Sequence, residues 1–412
     1  MRKIVNALKH GVWRAKNDPG SLASAAVKFA GFAARAARTK KESQNSFQSN
    51  GFVTHVALHT TGNNIGDVVL PHAVREVVNY KYPSVRWHKQ QIWHDFDDAY
   101  IDGLNRRSKG LLIGGHGLLT PDTMAHMPSG WQWNISNDRL RKIEVPLAIF
   151  AVGYNRFRNQ EDFSPRFRES ISLTAEKSVF IGMRNNSSCE RVKEYIPAEF
   201  HERIHWQPCP TTLLSRFRPD CANLRPPVGK VAALNMAFDR SHLRFGATAQ
   251  EQELHLGKVI KVARHLISTG WQLHLSCHAF EDAFILPHLK RAGIDIPVHY
   301  WYRRDPKDVV EFYKTVDLSI AMRGHAQMIP FGLGRMIIPI ITHDKLVFFM
   351  KDVGKLEWGT ELKQADAADS LISRIDDFVD KRDDYIRDLN AAQDRFWVQT
   401  QANLTRLAPM FQ

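Results

Sequence analysis

Cysteine is scarce and unpatterned in this chain. Cys189, Cys209, Cys221 and Cys277 are the only four in 412 residues, and none pair as CxxC or at zinc-ligand spacing. That excludes a disulfide-built secreted domain and a zinc ribbon, and it implies reduced, structural thiols of a cytosolic protein. No window offers about twenty uninterrupted apolar residues, so no segment reads as a membrane span. GxGxxG and GxxxxGK[ST] are both absent, which leaves a dinucleotide fingerprint and a P-loop without support. HExxH is absent too, and the nineteen histidines form no close pair with a carboxylate, so neither a metal nor another cofactor is expected.

Acidic residues are almost missing from one region. Residues 1–50 hold only Asp18 and Glu42 against ten Lys or Arg, a local charge of +8 within a total of +13. The excess therefore belongs to an N-terminal arm. Ser21 to Ala36 reads as a helix rich in Ala, Phe and Val, broken by Lys28 and Arg35. It is a poor membrane span and lacks a clean signal-peptide core, but a basic amphipathic helix suits an anionic bilayer surface. The body is only mildly basic and carries no recognised nucleic-acid motif, so no nucleic-acid partner is expected.

What is present is alternation. With 43% apolar and 24% charged residues the composition is globular, and the length implies two to three domains at roughly 150 residues each. Val53–His59, Leu111–Ile113, Val145–Val152 and Ser178–Met183 are short apolar runs followed by glycine-rich or polar turns and helical spacing. Five prolines between Gln207 and Lys230 mark a linker. The alternation restarts with Val231–Ala237, Trp271–Ser276, Val298–Trp301, Asp317–Met322 and Met336–Ile341. Continuous apolar strands between helices predict parallel sheets covered on both faces. The expected fold is α/β: two Rossmann-like doubly wound domains facing across a cleft. The expected order is an arm (1–50), an N-terminal domain (51–206), a linker (207–230), a C-terminal domain (231–362) and a polar helical tail (363–412).

In such sheets ligands bind beyond the carboxyl ends of the strands. The turn TTGNNIGD (60–67) offers Asn63, Asn64, Gly66 for close backbone approach, and Asp67 at a helix start. GGHG (114–117) offers Gly115 and His116. Arg184 follows the strand Ser178–Met183 directly and can grip a phosphate or carboxylate with two parallel hydrogen bonds; Ser187 or Ser188 can cap the next helix. In DLSIAMRGHAQMIPFGLG (317–334) a strand delivers Arg323 and His325 into the start of a helix, an anion site with a titratable neighbour. Lys345, after the next strand, faces the same cleft.

GNNIGD, GGHG, SVFIGMRNNSS and AMRGHAQMIPFGLGRMIIPIITHDKLVFFMKDVG occur in that order. The set resembles the polysaccharide pyruvyl transferase family over about residues 51–355. The resemblance implies a GT-B-like architecture and transfer of pyruvate from phosphoenolpyruvate to a sugar as a cyclic ketal, in bacterial exopolysaccharide or cell-surface glycan synthesis. Two departures stand out: the family commonly reads Arg-Leu-His where this chain has Arg323, Gly324 and His325, and His116 interrupts the glycine turn. On this reading Arg184 and Arg323, from different domains, clamp a donor close to three negative charges. His325 is the general acid or a phosphate ligand, and Asp67 is the base for the sugar hydroxyls. The acceptor saccharide is on this reading lipid-linked, and the enzyme cytoplasmic and peripheral on the inner membrane face. A nucleotide-sugar glycosyltransferase and a non-enzymatic binder of anionic polymers are the rival expectations.

Overall fold

The structure is a computed structural model that describes residues 51–59, 64–123 and 126–411. The arm at 1–50, Asn63 and the rest of the turn 60–63 lie outside the described residues.

The first half carries β1 (Phe52–Ala57), α1 (Gly66–Lys81), β2 (Trp87–Gln91), α2 (Asp98–Arg107), β3 (Ser108–Leu119), α3 (Asn137–Arg141), β4 (Leu147–Tyr154), α4 (Pro165–Lys177), β5 (Ser178–Met183), α5 (Asn186–Lys193) and β6 (Ile204–Trp206). Its six strands pair in parallel in the order β2-β1-β3-β4-β5-β6. After a short α6 (Leu214–Phe217), the second half carries β7 (Val231–Asn235), α7 (Ser241–Phe245), α8 (Ala249–Ser268), β8 (Gln272–Cys277), α9 (Leu286–Arg291), β9 (Val298–Tyr300) and α10 (Pro306–Thr315). It continues through β10 (Leu318–Ala321), α11 (His325–Gly332), β11 (Met336–Ile341), α12 (Asp344–Val353) and β12 (Thr360–Glu361). These strands form a second parallel sheet, β12-β11-β10-β7-β8-β9. Two doubly wound sheets face one another, as the apolar runs predict. β1, β4, β10 and β11 are buried along their whole length, the pattern of strands covered on both faces.

Several boundaries differ from the sequence reading. GGHG is not a loop after a strand; it is the irregular carboxyl half of β3, which runs on to Leu119 with a register shift after His116. Gly153 likewise lies within β4. β2, β6 and β12 were not expected. They are short edge strands with polar residues, and backbone pairing to a neighbour decides them. The proline-rich stretch 207–230 begins packed and ends largely exposed. Pro210–Leu213 is a buried 3₁₀ turn that packs so tightly on α11 that a methyl on Gly332 would fall 2.0 Å from the Thr211 carbonyl oxygen.

The polar tail is α13 (Ala367–Asp380), α14 (Arg382–Arg406) and α15 (Ala408–Phe411). It does not trail from the second half. Along α14, Gln393 Nε2 donates to the Phe331 carbonyl at 2.5 Å, Asn403 Nδ2 to the Trp206 carbonyl at 2.7 Å, and Gln207 Nε2 to Thr400 at 3.2 Å. Phe411 then packs beside Tyr82 and Trp87. One helix thus staples the two halves together, with its buried Tyr385, Leu389, Phe396 and Leu404 on the inner stripe. Among the described residues no helix is long and apolar enough to cross a membrane.

Candidate functional site

Both sheets direct their carboxyl ends at the same place. The backbone joins there: Asn64 and Ala279 form an antiparallel bridge, and Ile65 N donates to the His278 carbonyl at 3.0 Å. Asn64 Nδ2 also donates to Asp67 Oδ2 at 3.0 Å, and its Oδ1 accepts from Gly66 N at 3.2 Å. Asn64 therefore sets the first turn of α1, and Asp67 is held inside that turn rather than capping it.

The start of α1 abuts the start of α11. A Cβ built on Gly66 would lie 2.5 Å from His325 Cβ and 2.6 Å from its Nδ1, so glycine is what allows the two helices to meet. The other ring nitrogen of His325, Nε2, lies 3.9 Å from Cys209 Sγ. Burial lowers the His325 pKa well below the usual value, and the positive charge of Arg184 adds to this against the pull of Asp67. Gly324, one residue earlier, is helical with open space around it, so the glycine departure leaves the turn intact.

Asp67 Oδ2 lies 3.1 Å from His116 Nε2. Burial alone would raise this carboxyl, but His116, His325 and Lys345 outweigh it and hold it well below the carboxylate range. His116 Nδ1 is buried with no partner among the described residues. Lys345, at the start of α12, makes no ion pair among them; burial first, then Arg244, Arg184 and Arg323 against the pull of Asp239, push its ammonium down to about 7.

The two arginines have different fates. Arg184 is buried, its Nε has no partner, and no carboxylate pairs with it among the described residues. Gly153 makes room for it: a methyl there would fall 2.4 Å from Nη2. Its charge is felt by His325, Lys345 and Cys209, so the four groups lie within electrostatic reach of one another. Arg323 is occupied. Its Nε and Nη2 donate to both oxygens of Asp282 at 2.6–2.9 Å, and Nη1 lies 3.0 Å from Asp239. Burial would lower its pKa, and Asp282 and Asp239 more than reverse this. A guanidinium filled on both edges is not free to clamp an anion in this arrangement, whereas neither Arg184 nor Lys345 has a carboxylate partner among the described residues.

Three further expectations change. Asp67 is a poor proton acceptor, because a carboxylate stabilised by three neighbours holds its charge. Ser188 is fully buried and accepts from Tyr154 N at 3.4 Å, while Asn185 caps α5 by accepting from Ser188 N at 2.8 Å; neither Ser187 nor Ser188 is the cap. Gly115, at φ +77°, makes space for α1, since a methyl there would fall 2.9 Å from Pro71 N.

Residues that the sequence reading passed over complete the site. Asp239 and Asp282 hold Arg323, and Asn235 adds a hydrogen bond from Nδ2 to Asp282 at 3.1 Å and accepts from Arg323 N at 3.1 Å. His278, straight after β8, is fully buried; its Nε2 pairs with the Tyr313 hydroxyl at 2.8 Å, and burial with Arg323 pushes it down to about 3. Its position at the carboxyl end of a strand was the available signal. At the mouth, Arg240 of the second half grips Asp122 of the first at 2.6 and 2.8 Å, and Arg158 of the first grips Glu361 of the second at 2.7 and 3.1 Å.

The comparisons with known proteins agree with this architecture. A Listeria monocytogenes protein assigned as a UDP-N-acetylglucosamine 2-epimerase superposes with a TM-score of 0.50 at 13% identity, covering 86% of this chain and 96% of that one. Staphylococcus aureus TarM, solved as a G117R mutant with fondaparinux, a GlcNAc-glycerol and UDP, gives 0.47 at 10% identity, covering 76% of this chain and 57% of that one. Sucrose-phosphate synthase from Thermosynechococcus elongatus gives 0.47 at 9% identity, covering 87% and 97%. At 13% identity the likeness to the Listeria protein is one of fold alone, a GT-B-like pair of Rossmann-like halves. No curated protein matches the chain. The family model for polysaccharide pyruvyl transferase matches residues 64–344, which spans Asn64, Asp67, His116, Arg184, Arg323 and His325, and the chain belongs to that family.

Proposed function

We propose that this protein moves pyruvate from phosphoenolpyruvate onto two hydroxyls of a saccharide, forming a ketal and releasing phosphate. The observation that carries the reading is Arg184: a buried guanidinium with no carboxylate partner among the described residues, within electrostatic reach of Lys345 and His325. A buried cation without a partner is costly, and a small, highly charged anion removes that cost. Arg184 offers two parallel hydrogen bonds to a carboxylate or phosphate, and Lys345 adds a point charge.

Ligand-free, the His325 imidazole is neutral. The incoming anion favours its protonated form, so donor binding charges the acid at the moment it is needed. Proton transfer from His325 to the methylene carbon of the donor leaves an oxocarbenium-like centre at C2. One sugar hydroxyl adds there, and a second displaces phosphate by breaking the C2–O bond, so one hydroxyl proton restores His325 and the other leaves with the phosphate. His116, oriented by Asp67, accepts the second hydroxyl's proton and passes it to the departing phosphate, which Arg184 and Lys345 stabilise. Arg323 acts at one remove, fixing the loop that presents His325.

The saccharide is proposed to be a lipid-linked intermediate of a bacterial surface glycan, with residues 1–50 approaching the anionic inner membrane face. The test is product analysis by mass spectrometry after incubating purified protein with phosphoenolpyruvate and candidate oligosaccharides. A pyruvyl mass increment with phosphate release is expected. Transfer of sugar from a labelled nucleotide sugar, with none from phosphoenolpyruvate, would overturn the proposal.

A further inference from the structure

A second group of basic residues sits away from the cleft, between α1 and the β1–β2 edge. Arg75 lies eight residues beyond Asp67 on α1, about 12 Å along the axis. It is 7% exposed. Its Nη1 is tied to two imidazoles, His55 Nδ1 at 3.1 Å and His59 Nδ1 at 3.2 Å. The tautomers follow from the other ring nitrogens. His55 Nε2 faces the Gly114 carbonyl at 3.1 Å and His59 Nε2 faces the His55 carbonyl at 2.7 Å. A carbonyl has no proton to give, so each Nε2 carries the hydrogen and each Nδ1 is an acceptor. Both hydrogens of Arg75 Nη1 are used, and both imidazoles are neutral.

The opposite edge of the guanidinium, Nε and Nη2, has no acceptor among the described residues. That edge is the one shaped for bidentate capture of an oxyanion. Its surroundings are basic as well. His72 lies three residues earlier on the same helix, and Lys89, exposed on β2, pairs in register with His55. His72 is pushed down to about 4 by burial, then by the charges of Arg75 and Lys89. The nearest acids are engaged elsewhere: Glu76 faces Arg218 at 3.9 Å, and Asp305 caps α10 through Lys307 N at 2.9 Å. A metal does not fit, because both Nδ1 lone pairs point at a cation. Among the described residues no group of His, Cys, Asp or Glu is placed to hold one.

We propose that the Nε–Nη2 edge of Arg75, flanked by Lys89 and His72, binds a phosphate group at a site separate from the cleft. The phosphate is either free inorganic phosphate or the phosphate ester of an extended substrate. The site does not depend on the identity of the pyruvate donor. Calorimetry on the full chain, titrated in parallel with inorganic phosphate and glycerol 3-phosphate, tests it. Arg184→Met removes the cleft cation first. In that background one equivalent of phosphate still binds, and adding Arg75→Met weakens it at least ~10-fold. Adding Lys89→Ala, at an exposed residue, weakens it by a few-fold, roughly the worth of one peripheral charge. Binding of the glycerol ester as well as the free ion assigns the site to a phosphorylated substrate; binding of the free ion alone assigns it to phosphate itself. Loss of all phosphate binding in Arg184→Met, or unchanged affinity in the Lys89→Ala background, overturns the proposal and leaves the donor site at Arg184 untouched.

Discussion

Replacing Gly66 by alanine adds one methyl group where the two halves of the protein meet. The new carbon would lie 2.5 Å from His325 Cβ, and ordinary contact begins near 3.4 Å, so one element must retreat by roughly 1 Å. The backbone does not oppose the change, since Gly66 is the first residue of a regular helix, where alanine is favoured by about 1 kcal/mol. Overpacking opposes it by about 1–3 kcal/mol, leaving a net destabilisation of at most ~2 kcal/mol. The chemical effect is larger, because a 1 Å misplacement of a reacting group costs on the order of 100-fold in rate. Gly66→Ala is therefore expected to melt close to the parent yet lose about 100-fold in kcat/KM for phosphoenolpyruvate-dependent phosphate release. Thermal melting by circular dichroism and a phosphate-release assay measure the two quantities. A variant with parental kcat/KM refutes the reasoning, because His325 would then not need its place against α1.

Four other outcomes follow from the site. Arg184→Met should weaken phosphoenolpyruvate binding by roughly 10- to 100-fold, the worth of hydrogen bonds to a charged group, without lowering thermal stability, since the charge it removes is unpaired; calorimetry and melting read these separately. Lys345, held near 7 in the free protein, is mostly neutral at pH 8, and a bound anion re-protonates it, so donor binding at pH 8 should take up protons, less so in Lys345→Met; calorimetry in two buffers of different ionisation enthalpy reports this. The same depressed value means the unfolded chain holds more protons than the folded one between about pH 7 and 10, so this group adds stability as pH rises through that window, and Lys345→Met should flatten the melting profile there. Asp282→Ala strips a buried guanidinium of its bidentate partner and three further donors of their acceptor, and should cost about 3–5 kcal/mol in chemical denaturation; a loss under about 1 kcal/mol would contradict the pairing.

The strands were legible where they are buried on both faces. Met336–Ile341 and Ser178–Met183 appear at the boundaries that their apolar runs mark, because a strand covered by helices must be continuously apolar. β2, reading Trp-His-Lys-Gln-Gln, gave no such signal, because an edge strand is defined by the neighbour it bonds. The site followed the same division. Arg184, His325, Lys345 and Asp67 could be named from their places after strands, since that rule is topological. What each side chain touches could not.

That Arg323 is spent on Asp282 depends on two loops, 41 residues apart, meeting at the end of one sheet. That Gly66 is required depends on a helix 259 residues away along the chain, and that no carboxylate among the described residues pairs with Arg75 depends on what lies across β1. Local periodicity is a property of neighbours in sequence and survives in the string of residues. Charge pairing and close approach are properties of neighbours in space, so folding alone settles which of two similar arginines remains open to an anion and which is closed.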